Sequence, residues 1–395
     1  MLITVSEIDH VLTRGVERIY PNKQALRKVL SGKKKIKLYQ GFDPSMPNLH
    51  LGHLVGLLKL KQFQDLGHQV IFLIGDFTGM IGDPTNKKAA RQKLSRQQVL
   101  ANAKNWQKQA SKVLNFSGKN PVQIKFNSEW NDRYTFKDVI DVTANFTVQQ
   151  MLERDFFQRR LKDQKPIYLH EFLYPVAQSI DCVEMGVDLE IGGSDQTFNM
   201  LAGRNLMKAL KQKEKYVLTT KLLTDSRGEK AGKTTNNALF LNTPPNQMYG
   251  AIMAFPDEIV PLAFELLTQM ASSKIETLKQ KLEPMILKKK LALEIVGLIH
   301  SSREAEEAQI EFERVFQAGK LPGKVPVFNL DQKTISLLEL LKKTNLVASG
   351  GEAKRLIRQG AVEVDQKKIK DLNEIINLKK PIILRVGKKK FIKVK

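Results

Sequence analysis

Cysteine and long hydrophobic runs are scarce in this sequence. Cys182 is the only cysteine in 395 residues, which excludes an internal disulfide and a zinc site built from several cysteines. No apolar run approaches the ~18 residues that a membrane-spanning helix needs. The first ten residues carry Glu7 and Asp9 and lack the basic and apolar regions of a signal peptide. We therefore expect a cytoplasmic protein without a membrane segment.

Acidic residues are also few, with 41 Asp and Glu against 64 Lys and Arg, so the formal net charge is +23. Residues 331–395 alone hold 17 basic and 7 acidic residues. This balance favours a polyanionic partner, with nucleic acid the first candidate and adaptation to high internal cation the alternative. The hydrophobic content of 42% is that of a folded protein, and the length predicts two or three domains.

The first half of the chain alternates short apolar runs with amphipathic stretches. This alternation predicts an α/β domain with a doubly wound parallel sheet over residues 1–243. A mostly helical insertion is expected at about 98–163, and its apolar stripe fits either the core or a dimer surface. The predicted strands are 36–42, 70–75, 122–126, 189–192 and 216–219, and the predicted helices are 51–66, 99–114 and 195–210.

The pattern changes to helices after Pro244 and Pro245. A helical domain is predicted over residues 244–326, ending in the linker GKLPGKVP (319–326). A small α+β domain is predicted over 332–395. The predicted helices are 256–269, 275–282, 291–316, 335–341 and 353–359, and the last strands are 362–364, 382–386 and 391–394.

Two histidines follow the first predicted strand, in GFDPSMPNLHLGH (41–53). His50 and His53 fall at the start of a predicted helix, so their rings face the same side of its first turn. Gly52 lets a ligand approach the backbone, and the amides and dipole of a helix start favour an anion such as a triphosphate. A surface pair or a metal pair is the alternative, although no third ligand nearby supports a metal.

Two lysines and a hydroxyl lie in a glycine-bearing stretch, EKAGKT (229–234). Lys230, Lys233 and Thr234 could hold a pyrophosphate as charge builds on it, although most such runs are solvated surface. The stretch does not match the Walker A pattern.

Two further stretches lie at or near predicted strand ends. In IGGSDQ (191–196), the glycines permit close backbone approach, and Asp195 could accept hydrogen bonds from ribose or hold the substrate. In YPVAQSID (174–181), Tyr174, Gln178 and Asp181 share one helical face. Such a face either binds a polar ligand or lies in solvent.

Five motifs in this order and spacing resemble the tyrosyl-tRNA synthetases of bacterial type, a class I aminoacyl-tRNA synthetase family: GFDPxxxxLHLGH, TGMIGDP, YPxxQSxD, GGSDQ and KxGKT. The resemblance covers nearly the whole chain. It implies a Rossmann-like catalytic domain, an α-helical anticodon-binding domain, and an RNA-binding domain similar to that of ribosomal protein S four from about Thr334. The implied partners are tRNA(Tyr), L-tyrosine, ATP and a second copy of the chain.

The implied reaction activates L-tyrosine with ATP and then charges tRNA(Tyr). Mg2+ would arrive with ATP, and no protein-bound cofactor or metal is implied. On this likeness His50 and His53 stabilise the α-phosphate. The same likeness assigns pyrophosphate to Lys230, Lys233 and Thr234; the phenol to Tyr39 and Asp181; the ammonium to Asp83, Tyr174 and Gln178; the carboxylate and ribose to Gln196 and Asp195; and the remaining ATP contacts to Gly41, Asp43, Gly52, Lys87, Arg91 and Gly192.

Some positions depart from the family pattern. Ala231 and Gly232 stand where the consensus loop has Met and Ser, and Glu190 stands where many relatives have Gln. Three other hypotheses about the function stay open: a tryptophanyl-tRNA synthetase with the same fold, a small nucleotidylyltransferase with an HxGH site, and a synthetase-like RNA-binding factor without adenylation activity. The Tyr39 and Asp181 pair favours a phenol over an indole.

Overall fold

The computed structural model describes residues 4–83, 94–224, 233–234, 237–317, 326–387 and 390–395, with backbone alone for residues 155, 233, 234, 237, 316 and 317. The chain divides into two compact units, Met1–Ala305 and Glu306–Lys395. Within the described ranges, no helix is both long enough and apolar enough to cross a membrane.

A six-stranded sheet forms the centre of the first unit, in the order β1-β6-β5-β2-β3-β4. The five predicted strands are all present and parallel, which confirms the α/β prediction. The additional edge strand β1 runs antiparallel to β6 and was not predicted. The strands are β1 (Val16–Tyr20), β2 (Lys37–Phe42), β3 (Gln69–Ile74), β4 (Gln123–Phe126), β5 (Leu189–Gly193) and β6 (Tyr216–Thr220).

The helices between these strands bury apolar side chains in the core of the unit. Residues 99–114, expected to form one helix, cover the end of α5 and all of α6 with a break between them, and α6 already ends at Ala110. The helices are α1 (Val5–Thr13), α2 (Lys23–Leu30), α3 (Leu51–Asp65), α4 (Thr78–Ile81), α5 (Arg96–Ala103), α6 (Trp106–Ala110), α7 (Ser128–Asn131), α8 (Phe136–Thr143), α9 (Val148–Leu152), α10 (Asp155–Lys162), α11 (Leu169–Met185) and α12 (Thr197–Lys211).

The stretch expected as a helical insertion, about 98–163, also contains β4, so the sheet passes through it. Its apolar stripe contributes to the core. Met151 and Phe157 are buried, and Phe146 packs against a core cluster that includes Tyr39 and Ile180.

Helices α13 (Pro245–Met253), α14 (Val260–Leu267), α15 (Ser272–Lys281), α16 (Pro284–Ile299) and α17 (Ser302–Phe312) follow a short hairpin of β7 (Lys233–Thr234) and β8 (Asn237–Ala238). The helix expected over 291–316 is interrupted at His300. The interruption has a local cause, because the Ser301 hydroxyl accepts the Glu304 N–H at 3.2 Å and starts a new helix.

The second unit has a separate core made by α18 (Leu337–Lys343), α19 (Gly350–Arg358) and small sheets. Its two predicted helices and three predicted strands are present. The strands of two or three residues were not predicted, apart from 362–364, and two of them, β10 and β13, form a separate pair. The strands are β9 (Val327–Phe328), β10 (Thr334–Ser336), β11 (Val362–Val364), β12 (Lys367–Ile369), β13 (Ile375–Asn377), β14 (Ile382–Val386) and β15 (Lys390–Val394).

A buried lysine joins α3 to the end of α1. The Lys59 ammonium donates to the carbonyls of Val11 at 2.9 Å and Arg14 at 2.7 Å. Burial, together with the nearby Arg14 guanidinium, lowers the pKa of Lys59 to about 7. The charged form is therefore disfavoured in the folded state relative to the unfolded chain.

Replacement of Lys59 should change how stability depends on pH. An unfolded lysine keeps a pKa of about 10.4, so from about pH 7 to 10 the unfolded chain binds more protons and stability rises with pH. We expect Lys59→Met to lose this rise, which is at most about 1.4 kcal/mol per pH unit. Urea unfolding at pH 7, 8 and 9 measures it. Lys61→Met, which removes a lysine paired with Asp65 on the same helix, should keep the wild-type slope; an unchanged slope in Lys59→Met contradicts the prediction.

Candidate active site

A polar cavity of about 280 Å³ lies at the carboxyl ends of β2 and β5. The chain adds β3 and β4 on one side of β2, and β5 and β6 on the other, so the strand order reverses here. Ligands of open α/β sheets bind at such a reversal. The lining includes the following residues singled out from the sequence: Tyr39, Gly41, Asp43, His50, Gly52, His53, Asp83, Tyr174, Gln178, Asp181, Gly192, Asp195 and Gln196.

The structure does not describe the side chains of the five Lys, Arg and Thr residues expected to bind the phosphates and pyrophosphate. Lys87, Arg91 and Lys230 lie outside the described residues. Lys233 and Thr234 are described by backbone alone, in the hairpin strand β7. Their roles remain predictions.

The two histidines form the N-terminal cap of α3. The His50 Nδ1 accepts the Gly52 N–H at 3.0 Å, and the His53 Nδ1 accepts the His50 N–H at 3.1 Å. The rings stack with centroids 3.8 Å apart. Because each Nδ1 is an acceptor, a neutral ring carries its proton on Nε2 and presents that N–H as its donor. Together with the helix dipole, these donors suit an anion.

The glycine between these two histidines in the sequence leaves room for the His50 ring. A Cβ at Gly52 would lie 2.8 Å from the His50 Cε1 and displace the imidazole.

Asp181 is a buried carboxylate held by three N–H donors. Its oxygens accept from Trp130 Nε1 at 2.8 Å, Asn131 Nδ2 at 3.1 Å and Asn127 Nδ2 at 3.2 Å. Burial raises the pKa of Asp181 well above its usual value, although the three donors oppose the shift. The buried Tyr39 hydroxyl has no hydrogen-bond partner among the described residues. A ligand hydroxyl could supply that partner.

Asp43 links three elements around the cavity. Its Oδ2 accepts the Tyr174 hydroxyl at 2.7 Å, and its Oδ1 accepts the Thr78 hydroxyl at 2.6 Å. Burial and the neighbouring Asp43 raise the pKa of Tyr174 well above its usual value. The Tyr174 oxygen, protonated and donating to Asp43, keeps its lone pairs as acceptors.

A third carboxylate, Asp83, has polar partners on both oxygens. Its Oδ2 accepts from Gln196 Nε2 at 2.6 Å, and its Oδ1 lies 3.8 Å from an Arg154 guanidinium nitrogen. Asn199 Nδ2 donates to the Gln196 Oε1 at 2.9 Å and fixes that amide. Arg154 also stacks over Phe156, 4.4 Å from the ring centroid.

Sequence reasoning missed several residues that organise the site. Asn127 directly follows β4, so the strand-end rule could have found it. Thr78 lies four residues beyond β3 and carries a weaker signal of the same kind. Arg154 lies in a helical stretch that gives no sign of proximity to Asp83, and Trp130 has the pattern of an ordinary core residue.

Cys182 and His68 are buried and do not line the cavity. Burial raises the pKa of Cys182 to about 12, and its thiol donates to the Ser179 carbonyl. Burial lowers the pKa of His68 to about 4, and its Nδ1 accepts the Ile36 N–H. In the part of the chain that the structure describes, no group of three or more potential ligands could hold a metal.

The sequence matches the family of class I tRNA synthetases (W and Y) over residues 31–317. The chain belongs to this family. Residues 317–394 match the tyrosine–tRNA ligase SYY-like C-terminal domain.

Individual relatives point to the tyrosine branch. A tyrosine–tRNA ligase of Carboxydothermus hydrogenoformans is 41% identical, over 97% of this chain and 96% of the relative. One of Thermotoga maritima is 39% identical over 99% and 98%. A C-terminally truncated mitochondrial tyrosyl-tRNA synthetase of Coccidioides posadasii has a TM-score of 0.65 at 26% identity, covering 78% of this chain and 92% of its own. The family match excludes a small nucleotidylyltransferase.

Gly75 tests whether the Asp43 contacts matter. A Cβ at Gly75 would collide with the Asp43 Oδ1 and the Thr78 Oγ1. We expect Gly75→Ala to displace Asp43 and to lower amino-acid-dependent ATP–pyrophosphate exchange about 100-fold, as small displacements of positioning groups do. Gly250→Ala is the matched control, because a Cβ there meets nothing within 4 Å. Exchange by folded Gly75→Ala at the wild-type rate is the contrary result.

Proposed function

We propose that this cavity joins L-tyrosine to ATP, giving tyrosyl-adenylate and pyrophosphate, and that tyrosine then passes to the 3′-terminal adenosine of tRNA(Tyr). The chain is a tyrosine–tRNA ligase of class I. The observation that carries the proposal is a single cavity lined both by the helix-capping pair His50 and His53 and by the buried groups of Tyr39 and Asp181. The first pair suits a phosphate and the second a phenol.

In the proposed first step, a tyrosine carboxylate oxygen attacks the α-phosphorus, and the bond to the bridging oxygen of pyrophosphate breaks. His50 and His53 donate from Nε2 to the α-phosphate as negative charge builds there. Lys230, Lys233 and Thr234 would hold the departing pyrophosphate, and Lys87 and Arg91 would contact the phosphates. Mg2+ carried by ATP would neutralise further charge. The protein groups position reactants and stabilise charge, with no covalent intermediate.

The tyrosine side chain would place its phenol against Tyr39 and Asp181. The substrate ammonium would face Asp83, Tyr174 and Gln178, which offer carboxylate, hydroxyl and amide oxygens. Gln196 would contact the carboxylate, and Asp195 the ribose. Gly41, Gly52 and Gly192, with Asp43, would border the ATP. The donors around Asp181 keep its oxygens in place for the phenol.

For tRNA we propose two contact regions. The helices of residues 244–326 would bind the anticodon region, and residues 332–395 would bind structured RNA in the manner of the ribosomal protein S four domain. The excess of 17 basic over 7 acidic residues in 331–395 supports the second assignment. Binding through phosphates makes this affinity fall with salt. The single cysteine and the tRNA substrate favour a cytoplasmic location.

Asp181 tests the amino-acid assignment. Sites that hydrogen-bond a substrate hydroxyl discriminate against the analogue without it by a factor of about 10⁴ to 10⁵. Tyrosyl-tRNA synthetase is itself the reference case for that factor. We expect wild-type ATP–pyrophosphate exchange with tyrosine but not with tryptophan or phenylalanine. In Asp181→Ala the preference for tyrosine over phenylalanine should fall at least about tenfold.

Glu184→Ala is the matched control, because Glu184 lies on the same helix and contacts the Tyr134 hydroxyl at the surface. It should keep the wild-type preference. Exchange by the wild type with tryptophan alone overturns the function, and an unchanged preference in Asp181→Ala overturns the phenol assignment.

We also propose a homodimer. Seven of the fifteen exposed large hydrophobic residues in the described chain lie between residues 136 and 173. Phe136 is 82% exposed, Leu169 78% and Val148 67%. Apolar surface at this concentration is typical of a protein interface.

Charge on this surface should separate the subunits. We expect Phe136→Asp to weaken dimerisation at least about tenfold, because a symmetric interface buries the new charge twice. Sedimentation equilibrium measures the change. Met285→Asp, at another exposed apolar residue (51% exposed), should leave association as in the wild type. A Phe136→Asp protein as dimeric as the control argues against this interface.

A further inference from the structure

Two buried polar side chains, Glu190 and Lys215, meet the partly buried Gln178 beside the proposed ammonium site. Glu190 in β5 is 2% exposed and Lys215, just before β6, is fully buried. The Glu190 Oε2 forms an ion pair with the Lys215 ammonium, and its Oε1 accepts from Gln178 Nε2 at 2.9 Å. Lys215 also donates to the Met200 carbonyl at 3.1 Å. Neither Glu190 nor Lys215 has a role in the chemistry described above.

The ion pair keeps Glu190 an acceptor. Burial alone would lower the pKa of Lys215, but the neighbouring Glu190 carboxylate, with which it forms an ion pair, raises it, and the net shift is above its usual value, so the ammonium stays charged. A carboxylate beside that charge has no proton to donate. Gln178 must therefore turn its NH2 group toward Glu190. Its carbonyl oxygen then points the other way and receives no hydrogen bond from the described residues.

We propose that Glu190 and Lys215 are positioning residues that fix the orientation of the Gln178 amide, so that its oxygen, not its NH2 group, meets the substrate ammonium. This inference rests on the proposed function, which assigns Gln178 to that ammonium. Nothing in a glutamine side chain itself distinguishes its two ends sterically, because they are nearly equal in size. The charge pair behind Gln178 makes the distinction.

The proposal predicts an unusual pattern of substitutions. In Glu190→Gln, Lys215 takes the oxygen of the introduced amide, so the NH2 group of that amide faces Gln178. Gln178 must then invert and present its own NH2 group to the substrate ammonium, donor against cation. Adding Lys215→Met removes the group that forces this arrangement. Either amide can then turn, and Gln178 recovers its orientation.

Calorimetric binding of two tyrosine analogues tests this pattern. Tyramine keeps the ammonium, and 3-(4-hydroxyphenyl)propionate lacks it. We expect Glu190→Gln to weaken tyramine at least about tenfold and to leave the propionate within about twofold. The double variant Glu190→Gln/Lys215→Met should bind tyramine within about threefold of the wild type. In the exchange reaction, the KM for tyrosine should likewise rise in Glu190→Gln and return toward the wild-type value in the double variant.

The controls separate orientation from packing. Lys213→Met breaks the ion pair with Asp188, the residue just before β5, and should change the binding of neither analogue. Equal weakening of both analogues by folded Glu190→Gln, or no recovery in the double variant, overturns the proposal. An inactive wild type overturns the proposed function instead.

A measurement on the wild type covers the case in which Glu190→Gln does not fold. Neutron diffraction of the tyramine complex locates the deuterons of Gln178. An ND2 group toward Glu190 and a bare oxygen toward the amine are expected. The reverse orientation refutes the proposal.

Discussion

The buried carboxylate of Asp181 is the group on which the arrangement of the site depends. A charge this deep costs several kcal/mol unless hydrogen bonds compensate it, and the three donors come from one short segment, residues 127–131. That segment is placed by the edge strand β4, which pairs with β3. The edge strand β4 is therefore needed for the site, although it lies at the margin of the sheet. It positions the residues whose N–H groups stabilise the buried Asp181.

The same requirement extends across the cavity. Asp43, Asp83 and Glu190 are each held by hydroxyl, amide or ammonium donors. The result is a set of fixed acceptors that suits an ammonium and a phenol. At the start of α3 the polarity is opposite, since His50 and His53 use Nδ1 as acceptors within the cap and keep Nε2–H as donors. The ammonium of an amino acid is positive and a triphosphate is negative, so the two ends of the cavity match the two substrates.

The sequence predicted the parts of the fold that rest on local patterns. The parallel strands are short segments rich in apolar residues, and the carboxyl end of such a strand can be read from the residues that follow it. β1 was missed because only Ile19 in it is buried, so it lacks an apolar alternation. The break at His300 did have a signal, the Ser301 and Glu304 pair of a capping box, which a long helical periodicity obscured. Arg154 beside Asp83 could not be predicted, because the contact joins residues 71 positions apart and depends on the path of the intervening chain.

Helix α14 is tied to the sheet by contacts that include one residue of the cavity lining, Lys221. Glu265 in α14 accepts the Gly15 N–H at 2.8 Å and pairs with Lys221 at 3.0 Å, and Lys221 lines the cavity directly after β6. The Arg14 guanidinium donates to the Phe264 and Thr268 carbonyls at the end of the same helix. The change of pattern at residue 244 therefore marks a change of secondary structure inside one compact unit. A displacement of α14 would disturb the contact between Glu265 and Lys221 at the end of β6, beside the cavity.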